Sequence, residues 1–168
     1  CTPTVLYLTV GGETVANVGD YEFVSLQDAM DAVQDGGTVT LMDDVNLTEY
    51  LDIHTANFGE IARNITLDLA GHTIAPAADY KYEWYPLVFV GINQTLNIKG
   101  GTIQSDEHTA IGVYGALTLE NVTVANSVDS DEDAVCIWNW SENGSLPNGK
   151  PILLLWKPKK SFWKRNMT

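Results

Sequence analysis

Four aromatic side chains, Tyr80, Tyr82, Trp84 and Tyr85, crowd into "DYKYEWY", where they alternate with Asp79, Lys81 and Glu83. Aromatic faces stack on the apolar faces of sugar rings, and neighbouring carboxylates accept hydrogen bonds from hydroxyls. This mixture has the composition of a binding platform for a neutral glycan or a protein partner; its alternative is a lid folded down on the core. Trp138 and Trp140, alternating in "CIWNW", admit the same two readings. Asp129, Asp131 and Asp133 have the spacing with which a Ca²⁺ loop opens. Such a loop needs Gly at its sixth position and Glu at its twelfth, and the chain has Ala134 and Trp140 there. A solvated acidic loop is the preferred reading, and weak Ca²⁺ binding is the single cofactor hypothesis that remains. His72, in "GHT", reads as a structural corner residue. No residue is assigned a catalytic role.

Charge narrows the partners. Residues 1–149 hold all 22 acidic side chains against Arg63, Lys81 and Lys99, a net −19, while the last 19 residues carry +6. A body so acidic repels nucleic acid, anionic membranes and strongly anionic ligands, and fits a secreted or surface protein kept dispersed by self-repulsion. No apolar run approaches the roughly 20 residues of a membrane-spanning helix. The two cysteines, Cys1 and Cys136, are too few for a disulfide framework, and Cys136 in "AVCIW" reads as an inert core thiol. The N-terminal Cys1 suggests a fragment or a processed chain. N-x-S/T triplets recur from Asn46 to Asn166, several at strand starts, where Asn suits a corner.

These side chains need a scaffold, and one repeated pattern supplies it. "NITLDLAGHTI", "QTLNIKGGTI" and "GALTLENVTV" each show two alternating apolar residues, a corner, and a further apolar residue five positions on. Period two marks a strand with one buried face, and a single copy cannot bury that face alone, so the copies must stack. Three columns follow. The first runs Val39/Leu41, Leu67/Leu69, Leu96/Ile98, Leu117/Leu119, which makes Leu69, Ile98 and Leu119 stacked neighbours. The second runs Val45/Leu47, Ile74, Ile103, Val124, and the third Leu51/Ile53, Val88/Val90, Ile111/Val113, Val135/Ile137. The segments between columns, residues 54–63, 76–86 and 126–133, become loops. Upstream, "VLYLTVGGETVANV" predicts an N-terminal β-hairpin turning at Gly11-Gly12. Leu26, Ala29, Met30 and Val33, after the N-cap candidate Ser25 and before Gly36, predict one amphipathic helix over 26–35. That helix would cap the exposed first coil. A β-sandwich, the rival fold, gives no reason for the same gap to recur three times.

The succession helix, "GGTVTL", "NITLDLAGHTI", "TLNIKGGTI", "LTLENVTV" resembles the right-handed parallel β-helix modules of bacterial cell-surface proteins, a pectate-lyase-like fold, over residues 22 to 138. The resemblance implies an all-β domain over 1–149 of about four coils, with the hairpin and the capping helix, followed by a basic aromatic tail, 150–168, read as an anchor or as a truncated or disordered end. It also implies an extracellular or cell-surface location, and an adhesin-like or carbohydrate-associated role. Enzymes of this fold that cut acidic polysaccharides resemble one another in pairing acidic side chains with a basic clamp. Three basic residues in 149 depart from that pattern, because a developing anion needs cationic stabilisation. The expectation is therefore a non-catalytic module, stalk or adhesin, that binds a glycan or a host or cell-surface protein through its inserted loops. A fragment of a polysaccharide lyase or glycoside hydrolase is the alternative.

Overall fold

The computed structural model describes residues 12–54, 61–81, 85–105 and 109–126, with the backbone of two further short strands at 135–137 and 155–157. The chain is mostly β. The short strands β1 (Ala16–Val18) and β2 (Tyr21–Phe23) lead into a helix, α1 (Leu26–Ala32). The strands β3 (Thr38–Leu41), β4 (Val45–Leu47), β5 (Leu51–Ile53), β6 (Arg63–Asp68) and β7 (Thr73–Pro76) come next. They are followed by β8 (Val88–Val90), β9 (Gln94–Gln104), β10 (Ile111–Val113) and β11 (Ala116–Ala125), and finally by β12 (Val135–Ile137) and β13 (Leu155–Lys157).

These strands form two sheets. The nine-stranded one is mixed, in the order β13-β11-β9-β6-β3-β1-β2, with β4 and β7 joined beside β9. The four-stranded one, β12-β10-β8-β5, is parallel throughout. Antiparallel pairing is confined to β1 with β2 and β3, so the described ladders are not those of an antiparallel sandwich. β13 brings part of the basic tail into the larger sheet, opposite Thr118–Glu120 of β11.

Two of the three columns pair as the spacing predicts. Val45 lies opposite Ile74, Ile74 opposite Ile103, and Ile103 opposite Val124. In the parallel sheet Leu51, Val88, Ile111 and Val135 form one row, and Ile53, Val90, Val113 and Ile137 another. The first column differs at one junction. Val39 meets Leu67, but Ile65, not Leu67, meets Leu96, and Leu67 meets Ile98, so the stack is Leu67, Ile98, Leu119 and excludes Leu69. A shift of two residues leaves the same side chains facing inward, so alternation by itself cannot separate the two registers. The corner separates them. Between the pairs Asp68–Lys99 and Thr73–Thr102, one strand holds Leu69 to His72 and the other only Gly100 and Gly101. The longer corner is accommodated by Ala70 and Gly71 at φ of 50° and 94°. Leu69 still turns inward, fully buried, against Gly101, where a Cβ would come within 2.5 Å of its own. The later corners turn at Gly100 and Asn121, with φ of 66° and 55°, which occupy equivalent positions in adjoining strands.

The helix is shorter than predicted. Ser25 caps it by accepting a hydrogen bond from the Asp28 N–H, and Leu26, Ala29 and Met30 are buried, but it stops at Ala32 and Val33 is extended. Continuing to residue 35 would cost sheet pairing, because the Gly36 N–H donates to the Asn64 carbonyl and the Thr66 N–H donates to the Gly37 carbonyl. The helix also closes an edge. The Gln27 side-chain amide donates to the Asp52 carbonyl at 2.9 Å and accepts from the Asp52 N–H at 2.9 Å, taking the place of a neighbouring strand along β5. The first arm of the hairpin expected around Gly11-Gly12 lies outside the described residues. A different hairpin is present, β1 to β2, which turns at Gly19-Asp20 with Gly19 at φ 59°. The signal for it, a Gly-Asp pair between apolar runs, was in the sequence.

Ile98→Asp should abolish cooperative thermal unfolding, since it places an unpaired charge between Leu67 and Leu119. Gln27→Ala should lower stability by about 1–3 kcal/mol in urea titration, the cost of leaving backbone groups of a partly buried strand without a partner.

Candidate ligand-binding cleft

Strand β5 alternates strictly. Leu51 and Ile53 point into the core and are buried, so Tyr50, Asp52 and His54 fall on the opposite face at steps of about 6.8 Å. All three line an open cleft of about 1130 Å³ between α1 and the segment around β4 and β5. Val15, Val24, Val45 and Ile61 supply apolar wall, and Asn46, Thr48 and Glu49 supply polar wall.

Neighbours fix this face from behind. Asp52 is held through its backbone by Gln27. His54 sits over Gly91, where a Cβ would come within 2.9 Å of its own Cβ. Its carbonyl accepts from Arg63 Nη2 at 3.4 Å, while Nη1 donates to the Met30 carbonyl and Nε to Gln94 Oε1. Gln94, almost fully buried, donates in turn to the Ile61 carbonyl. The cleft's one arginine is thus engaged in tying α1, β5 and β9 together.

Asp52 Oδ1 lies 2.5 Å from His54 Nδ1. Burial pushes the Asp52 carboxyl above its usual range; the hydrogen bond and charge of His54 pull it back, and Asp31 adds a push upward. On the sheet Asp52 is adjacent to Phe89, whose ring meets Tyr114 edge-on, centroids 5.6 Å apart. These apolar neighbours agree with the direction of the shift.

The aromatic insertion is divided by the fold. Tyr80 leans on the core and its hydroxyl donates to the Pro86 carbonyl at 3.3 Å. Tyr85 remains 47% exposed and stacks on Tyr50, with centroids 4.7 Å apart and planes 13° from parallel. Asp79 is exposed. Tyr82, Glu83 and Trp84 lie outside the described residues, as do Asp129, Asp131, Asp133, Trp138 and Trp140. Among the described residues no group of His, Cys, Asp and Glu is arranged to hold a metal ion. His72 stands at its corner, 3.4 Å from Asp44, whose carboxylate also accepts from the Thr73 N–H. Tyr50, Asp52 and His54 are not among the residues that the sequence singles out; the alternation in "YLDIH", whose inward residues Leu51 and Ile53 define the third column, is the signal that places them together on the other face.

The arrangement offers a stacked aromatic pair, a carboxylate and an imidazole at β5, with amide and hydroxyl groups from Gln27, Asn46 and Thr48 around them. Chemically that suits hydrogen bonding to a polar ring, and the aspartate–histidine pair is also capable of proton transfer. Among the described residues no helix is long and apolar enough to cross a membrane. Comparison of the chain with protein-family models, with curated proteins and with solved structures found no match in any of the three.

Because Asp52 holds its proton more tightly in the folded state, its contribution to stability is fully present below the unfolded value of 3.8 and is lost as pH rises through the higher folded value. Asp52→Asn removes this loss and keeps an acceptor for His54. Its melting temperature relative to the parent should therefore rise over the pH interval that opens at 3.8 and runs up through that higher folded value. A difference that stays constant over that interval would contradict the assigned burial of the charge.

Proposed function

We propose that the chain is a non-catalytic extracellular module of a bacterial surface protein, wound as a right-handed parallel β-helix of about four coils. It acts as a stalk or adhesin that recognises a glycan, or a protein partner, on its lateral surface. The three parallel columns and the clamp of α1 on β5 support the coil reading. The observation that carries recognition is the exposed Tyr85 ring stacked on Tyr50 beside the open cleft. The excess of carboxylates, with Arg63 committed to structural contacts, argues against polyuronate as the ligand.

One observation favours a second reading, a remnant of a polysaccharide lyase or glycoside hydrolase. The Asp52–His54 contact, with the aspartate's affinity for a proton raised, is a pair suited to acid–base work. The arginine that lines the cleft, Arg63, is committed to the Met30 and His54 carbonyls and to Gln94, which is why the binding reading is preferred.

The two readings separate experimentally. On a glycan array or in a cell-adhesion assay, Tyr85→Ala should weaken the signal about tenfold and move the melting temperature little, since the residue is half exposed. Turnover of pectin, polygalacturonate or neutral glycans that disappears in Asp52→Asn would establish the enzyme reading instead.

A further inference from the structure

We infer that the outward face of β5, Tyr50–Asp52–His54 with Tyr85 stacked at its end, is a subsite for a neutral hexopyranose. The inference rests on the glycan-binding reading above. It moves the site from the inserted loop to the strand beneath it.

Three features carry it. The first is spacing: side chains two apart on a strand stand about 6.8 Å apart, so a ring against Tyr50 and Tyr85 brings its edge hydroxyls to Asp52. The second is chemistry. Asp52 Oδ1 is enclosed against His54 Nδ1, which leaves the other carboxylate oxygen as the acceptor for a ring hydroxyl, and the face combines that acceptor with aromatic surface. The third is rigidity. Gln27 holds the Asp52 backbone, Arg63 holds the His54 carbonyl, and Gly91 admits His54 at close approach, so the face is ordered before any ligand arrives. The same groups exclude a uronic acid, because Asp52 and Glu49 would face its carboxylate with Arg63 turned to Met30, His54 and Gln94.

The test is calorimetric titration of the full chain with neutral gluco-, manno- and galacto-oligosaccharides and with oligogalacturonate of equal length. A neutral oligosaccharide should bind saturably and oligogalacturonate should not. Asp52→Ala and Tyr50→Ala should each weaken the neutral ligand by roughly tenfold or more, whereas Lys99→Ala, across the fold in its pair with Asp68, should change nothing. Tyr50→Phe keeps the stack and should retain most of the affinity, so a folding failure of Tyr50→Ala leaves the test intact. Binding that survives Asp52→Ala, or that favours oligogalacturonate, overturns this subsite and leaves glycan recognition standing. A glycan array with no binder of any kind overturns both.

Discussion

Each strand of the parallel ladders is held by backbone hydrogen bonds to its neighbour in the sheet, in a register that sets apolar residues opposite one another. The rows Leu67–Ile98–Leu119 and Ile53–Val90–Val113 are fully buried or nearly so. Burying each such side chain contributes about 1.5–3 kcal/mol, and one row lost would strand the next. A ladder also creates its own difficulty: its edge strand presents backbone groups with no strand beside them. Gln27 answers this on β5 with one amide that supplies both a donor and an acceptor. On the larger sheet β1 covers β3 by antiparallel pairing.

The cleft follows from the same device. With α1 anchored to β5 at Asp52, the outward side chains of that strand are enclosed on one flank by the helix and on the other by the segment through β4. Enclosure removes water from Asp52, which raises its affinity for a proton, and His54 offsets part of that cost. The outward row of the larger sheet shows the contrast. Lys99 and Asp68 meet at 3.0 Å in a more open setting, where an ion pair contributes at most about 1 kcal/mol.

The sequence by itself determined which residues turn inward, since alternation is a local property: Val45, Ile74, Ile103 and Val124 fell into register from their spacing. It also determined the helix and its cap at Ser25, the corners at Ala70-Gly71, Gly100 and Asn121, and the net charge of −19 over residues 1–149. Tertiary structure decided what alternation leaves degenerate. A slip of two residues preserves the buried face, so only the longer corner and the fit of Leu69 over Gly101 set the register of β6 on β9. It ended the helix at Ala32, because Gly36 and Gly37 bond to β6. It sent Tyr80 to the core and Tyr85 to Tyr50, a partner 35 residues away that no local pattern could name. And it drew Asp52 and His54, unremarkable two apart on a short strand, into an enclosed pair, because enclosure depends on what packs alongside and not on the residues themselves.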